Sequence, residues 1–331
     1  MASALQPDAG EAAVQRSVTL ASLLDDQIRT LRGQLDGVHD GHVDAVHDAR
    51  VATRRIRELL ALVPAVPGRD RQDDIARLFK KAGRALGRVR DLDVQLTLIR
   101  TLEDHTPQAA PALVLLRQEY EGERLAKIRK LIKTLERLDV SALLESAAEN
   151  HPAGLRRRLI ANGWRRQLSH LVVERARTAV DAIAHATGVY FPRRTHSARI
   201  AIKQLRYAAE IAEATGQTAL RAGIKALRKG QELLGELHDR QSLADALDSY
   251  ARGDDAAREN IEVARHVLER EVMQLHAEYL ERRTSLREAC AEIREAACPA
   301  VVMRPAMMVG TALAVSGILY GRHRLAAHTE S

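Results

Sequence analysis

The chain has 331 residues, 46% of them hydrophobic, enough to bury one large core or two of ordinary size. Aromatic residues make up only 3%, and the two cysteines, Cys290 and Cys298, supply neither a disulfide framework nor a zinc-ligand cluster, so a reducing compartment fits. The net charge is a modest +7, and residues 1–11 lack the charged-then-apolar pattern of a secretory signal.

Apolar residues recur at the 3.6-residue helical period along almost the whole chain, with Ala, Leu and Arg abundant and no alternating run long enough for a sheet. Residues 1–16 are expected to be a disordered tail. Val18 to Leu35 predicts a first helix, and Val43 to Val63 a second, stopped by Pro64 and the Pro67-Gly68 turn. Asp70 to Leu102 predicts a long third helix ending before Pro107, and Pro111 to Leu138 a fourth with many charge pairs. A small-residue stretch, Ser141 to Gly154, reads as a boundary. The pattern then restarts with Trp164 to Thr187, Thr195 to Thr215, Thr218 to Tyr250 and Asp255 to Ala297. The expected organisation is a domain over 17–298, with halves 17–145 and 152–298, followed by an apolar segment and tail over 299–331.

The halves share motifs. His47-Asp-Ala-Arg50-Val-Ala-Thr-Arg54-Arg55-Ile-Arg57 matches His196-Ser-Ala-Arg199-Ile-Ala-Ile-Lys203-Gln-Leu-Arg206. Each His is followed by cations at +3, +7 and +10, which fall within roughly 80° of one helix face. Further on, Leu86-Gly87-Arg88-Val89-Arg90-Asp91 matches Leu234-Gly235-Glu236-Leu237-His238-Asp239. The first pair of motifs is offset by 149 residues and the second by 148, which indicates a tandem repeat of two four-helix units in an all-α fold.

A row of like charges on one helix face is unfavourable alone, and this chain builds several. Arg77, Lys80, Arg84 and Arg88 recur within about 60° of a second face, beside Lys81. Ile75 to Arg90 and Ala182 to Ala209 contain no acidic residue at all. Packed beside the Arg50/Arg54/Arg57 ridge, the Arg77–Arg88 ridge would line a trough for an anion. Lys225, Arg228 and Lys229 occupy the corresponding stretch of the second half, where Glu232 stands in place of Arg84 and His238 in place of Arg90.

The ordered double pair of motifs resembles the CHAD family, the conserved histidine α-helical domains, over roughly Val18 to Ala297. The resemblance implies two four-helix bundles related by pseudo-twofold symmetry and a basic central groove that binds inorganic polyphosphate. In many members it implies association with polyphosphate granules in the cytoplasm. Many relatives carry a strand-rich CYTH triphosphatase domain with a Glu-x-Glu-x-Lys start; this sequence contains neither, so it is similar to the stand-alone form. Carried onto this chain, the polyphosphate-binding residues are His47, Arg50, Arg54, Arg57, Lys80, Lys81, Arg84, Arg88, His196, Arg199, Lys203, Arg206, Lys225, Arg228 and Lys229.

The residue types suit that ligand. Polyphosphate has charge and no bases, so it calls for ordered Arg and Lys without stacking platforms. Nucleic acid is the competing ligand, but sequence-tolerant single-strand binders add aromatic platforms. Only Phe79 and Tyr207 lie near the ridges, and both read as core residues. Weak nucleic-acid binding in vitro is compatible with the charge. An enzyme of polyphosphate turnover is a further alternative, disfavoured because no P-loop occurs and the basic stretches lack acidic metal ligands. Metal binding at His47 and His196 is disfavoured by the Arg at +3, and no cofactor is implied. Protonation of both histidines near neutral pH would add charge to the groove. Asp91 and Asp239 read as partners that orient Arg or His. Residues 305–321 carry no charge, and three destinations stay open: a packed helix, a membrane anchor, or contact with a granule surface. Oligomeric state is not legible.

Overall fold

A computed structural model describes residues 18–62, 71–137, 163–216, 220–251 and 255–298. Eight helices and no strand are found among them: α1 (Leu20–His39), α2 (Val43–Ala61), α3 (Arg71–His105), α4 (Ala110–Arg137), α5 (Trp164–His185), α6 (Pro192–Ala214), α7 (Arg221–Ala251) and α8 (Asp255–Ala297). The all-α expectation is met helix for helix, with ends shifted by a few residues. The Ser141–Gly154 boundary, the N-terminal tail and 305–321 lie outside the described residues.

The shifted ends have local causes. α1 starts with a capping box in which Thr19 and Ser22 each satisfy the other's backbone N–H. It continues past Leu35 because Val38 is fully buried and Gly37 lies against α2, where a Cβ would come within 2.7 Å of the Ala45 Cβ. Gly41 then turns the chain at φ +76°, a left-handed conformation that favours glycine. The Gly41 carbonyl accepts from Arg124 Nη2 on α4 at 2.8 Å, and Arg124 Nε donates to the buried Asp93 on α3. One carboxylate thus ties the α1–α2 turn to the α3–α4 hairpin. α6 opens three residues before Thr195, with Pro192 in its first turn, where a missing N–H costs nothing.

In the first half α1 packs on α2, α2 on α3 and α3 on α4; in the second α5 packs on α6, α6 on α7, α7 on α8 and α8 back on α5. The halves meet where α3 touches α7, α4 touches α8 and α2 touches α6. Two apolar clusters hold this arrangement. The larger joins α1, α2, α5 and α6 with parts of α3, α4, α7 and α8, around fully buried residues such as Ile56, Leu86, Ile202 and Leu227. The second lies at the far ends of the long hairpins, where Ile99, Leu102, Leu113 and Leu116 meet Leu243, Leu247, Ile261 and Leu268. Burying each of these side chains contributes about 2 kcal/mol, so the second cluster bonds the halves away from their charged centre. An ion pair also crosses between them: Arg175 on α5 meets Glu58 on α2 at 2.6 Å and donates to the Gln204 carbonyl on α6 at 2.9 Å.

Candidate anion-binding site

α2 and α6 carry the two His-led ridges, and the fold brings them face to face. Their inward sides are small and apolar (Ala45, Ala49 and Ala52 on α2; Ala198, Ala201 and Ala208 on α6), which lets the helices sit deep in their bundles. The cations lie at the margin of that buried side, so Arg50, Arg54, Arg199 and Lys203 are half-buried rather than solvated.

The glycine of the second motif explains itself here. Arg50 Nε lies 3.5 Å from where a Cβ on Gly87 would be, and Arg199 Nε lies 3.7 Å from the same point on Gly235. In both halves the guanidinium of the first motif rests on the bare helix backbone of the second. A methyl would touch it, and anything larger would displace it. Arg50 also faces Asp91 at 3.9 Å. Asp239 lies near Arg199, Arg90 and Asp91, and its carbonyl accepts from Gln95 Nε2 at 3.2 Å where α3 crosses α7. Burial, with Asp91 adding repulsion, raises the Asp239 pKa despite Arg199.

A tyrosine forms the floor. Tyr207 on α6 is buried, and Arg54 from α2 and Arg206 from α6 each stack a guanidinium 4.4 Å from its ring centroid. Cation–π contacts of this kind contribute on the order of 1 kcal/mol each and hold two like charges around one ring. Four buried polar atoms in this region have no hydrogen-bond partner: Thr53 Oγ1, Arg54 Nε, Arg199 Nε and Tyr207 Oη. Unmet buried groups cost about 1–3 kcal/mol apiece, so the floor is polar and unsatisfied.

The electrostatics follow from that crowding. Burial, and behind it Arg54, Arg199 and Arg50, pull the Lys203 ammonium down to about 8. Burial brings Arg54 to about 10, with Arg50, Arg206 and Arg55 acting in the same direction and Tyr207 opposing. His196 and His238 lie ring to ring at 4.7 Å. Burial, Arg199 and His196 lower His238 to about 4. His47 is lowered by burial and Arg90, and His196 by burial, Arg199 and Lys203. This departs from the expectation that both motif histidines gain a proton near neutral pH. Partly desolvated rings beside fixed guanidiniums favour the neutral imidazole until an anion arrives.

The structure thus unites His47, Arg50, Arg54, His196, Arg199 and Lys203, and adds residues the motifs did not flag as ligands: Arg90, His238 and Tyr207. Arg57 is exposed farther along α2, and Lys80, Lys81, Arg84 and Arg88 are exposed along α3 with no ion pair among the described residues. The second half differs. Arg206 is buried, donates to Gln231 Oε1 at 3.0 Å and pairs with Glu210. Arg228 reaches the same carboxylate at 3.7 Å, while Lys225 and Lys229 are exposed on α7. No spacing along α6 sets Glu210 apart, because two of its partners, Arg55 and Arg228, come from other helices.

In class, this is an all-helical domain whose two halves bring matched basic ridges onto a shared, desolvated floor. The chain belongs to the CHAD domain family, whose model matches residues 22–248. That match ends within α7, and α8 completes the second half by packing on α5 and α7. Among solved structures, the chain is similar to the CHAD domain from the plant Ricinus communis, at a TM-score of 0.58 and 23% identity over 82% of this chain and 90% of that one. It is also similar to PptA from Streptomyces chartreusis, at a TM-score of 0.55 and 20% identity over 83% of this chain and 98% of that one. At these identities the likeness shows the fold. No curated protein matches the chain.

Proposed function

We propose that this protein binds inorganic polyphosphate, without turning it over, on the basic surface formed by α2, α3 and α6, and that it targets or scaffolds material at polyphosphate granules. The observation that carries this reading is the cluster of half-buried Arg50, Arg54, Arg199 and Lys203 where α2 meets α6, with Arg54 stacked on Tyr207. The fold holds Arg54 and Lys203 where burial and neighbouring charge oppose their ionisation, and a dense polyanion relieves both costs. Arg50, Arg54 and Arg199 offer planar donor forks to phosphate oxygens; Lys203 and the α3 lysines offer point charges. Tyr207 is buried beneath Arg54 and Arg206, so it offers no face on which a base could stack.

The reading is tested by titrating salt against binding of long-chain polyphosphate, with single-stranded DNA and heparin of matched charge as competitors. Polyphosphate retained at physiological salt against both competitors is the expected result. Equal binding of all three would leave only a generic basic surface and favour nucleic acid. Arg54→Ala with Lys203→Ala should keep helicity and weaken polyphosphate binding; unchanged affinity in that double variant would remove α2 and α6 from the site. Among the described residues no helix is long and apolar enough to cross a membrane.

A further inference from the structure

The α6 ridge does not end in solvent. One turn after Arg206, at the next position of the same face, stands Glu210, whereas 149 residues earlier the matching position on α2 is Ala61. The Glu210 carboxylate gathers three guanidiniums from three helices: Arg206 on its own helix, Arg55 of α2 at 3.8 Å and Arg228 of α7 at 3.7 Å. It is mostly buried, with its side chain 20% exposed, so these pairs are less screened than surface ones. The acidic character continues along α7. Glu232 and Glu236, both exposed, stand at the positions that carry Arg84 and Arg88 on α3, and Glu236 also faces Arg240 at 3.5 Å. On the α3 flank, Lys80, Arg84 and Arg88 are exposed without an ion pair among the described residues. On the α7 flank, Arg228 is already paired and two glutamates follow it, with Lys225 and Lys229 as the exposed cations.

We propose that Glu210 is a specificity-determining residue that closes the α7 side of the groove, confining a polyanion to the α2–α3 side and to the floor at Arg199 and Lys203. The inference rests on the polyphosphate reading. A phosphate approaching Arg55 or Arg228 must compete with a carboxylate already in place, and then meets Glu232 and Glu236. A phosphate approaching Lys80, Arg84 or Arg88 meets no such competitor. The ligand is therefore held on one side of two halves that share the same motifs.

The test is the salt dependence of long-chain polyphosphate binding to the full chain carrying Glu210→Gln. Freed guanidiniums add phosphate contacts, so the slope of log affinity against log salt should steepen by about 0.7 per added phosphate. That is about a fivefold gain at 0.1 M relative to 1 M salt for each. Arg55→Gln alone should leave the wild-type slope in place, and added to Glu210→Gln it should take back part of the gain. An unchanged or shallower slope in Glu210→Gln, with wild type still binding polyphosphate, overturns the inference alone and makes Glu210 a clamp between α2, α6 and α7. Failure of wild type to bind polyphosphate overturns the function reading as well. Should Glu210→Gln not fold, Arg55→Gln alone carries the test, and a slope shallower than that of wild type there is equally fatal.

Discussion

Lys203 is expected to make polyphosphate binding sensitive to pH. Its ammonium is held at about 8 in the free protein against an ordinary value of 10.5, with burial first and Arg54, Arg199 and Arg50 behind it as causes. A phosphate oxygen in contact removes most of that penalty, and the bound-state value returns toward the ordinary one. Binding then takes up a proton: almost none at pH 7, about half at pH 8 and nearly one at pH 9. Because the group binds its proton more tightly in the complex, affinity must fall as pH rises. With these two values the fall is about tenfold between pH 7 and pH 9. Arg54, at about 10, begins to contribute only above this window, and His238, at about 4, lies far below it. Isothermal calorimetry at pH 8, in two buffers of different ionisation enthalpy, reads the proton directly. Lys203→Arg stays charged throughout and should flatten the profile while binding at least as well at pH 9. Affinity that is level from pH 7 to 9 in wild type, or that falls equally in Lys203→Arg, would refute the placement of Lys203 against the ligand.

Three further outcomes follow from the same geometry. His196 is lowered by burial, Arg199 and Lys203, so an anion raises it; affinity should increase as pH drops from 7.5 to 5.5, less so in His196→Gln, as read by competition titration. Gly235→Leu should push the Arg199 guanidinium off the α7 backbone and weaken polyphosphate binding by roughly tenfold, the worth of one charged contact of about 1.5 kcal/mol, while the melting temperature moves little. Asp93→Ala strands the half-buried Arg124 and loosens its hold on the Gly41 carbonyl; denaturant unfolding should show a loss of about 3 kcal/mol, with polyphosphate affinity at 20 °C unchanged.

The helices were legible because each has a buried stripe at its natural period, and the repeat was legible because two motifs recur at nearly one offset. The ridges on α2 and α6 were legible for the same reason: +3, +7 and +10 share a face whatever the tertiary structure. What lay beyond the sequence was contact between halves. Arg54 stacks on Tyr207 across the interface, and nothing in the spacing of one helix points to a ring on another 153 positions later. The role of Gly87 and Gly235 was equally hidden, since a glycine in a helix reads as a weak point until a guanidinium is found resting on it. The histidines show the limit of reasoning from ordinary pKa values. Their motif places them beside arginine, but only the packing of α3 shows Arg90 near His47, and only that of α7 sets the His238 ring against His196.

Duplication with symmetric charge would give two equivalent tracks, and a polyanion could lie on either. This chain repeats the motif residues at the centre of its two halves and departs from the repeat along the α6–α7 flank. Gly87 and Gly235 are matched across the halves, as are Arg50 and Arg199, and in each half a guanidinium rests against the glycine; Arg54 and Lys203 are matched as half-buried cations. Glu210 for Ala61, Glu232 for Arg84 and Glu236 for Arg88 make the second half less positive along the α6–α7 flank, whereas Arg240 for Leu92 and Gln241 for Asp93 act the other way farther along α7. Glu210 favours folding, since it relieves repulsion among Arg55, Arg206 and Arg228. The crowding of like charge that remains is greatest at Arg54 and Lys203, where burial and neighbouring guanidiniums oppose ionisation, and under the proposed function a bound polyanion offsets that cost. On that reading affinity and instability have one origin. The apolar cluster joining the far ends of α3, α4, α7 and α8 bonds the two halves away from that crowded centre.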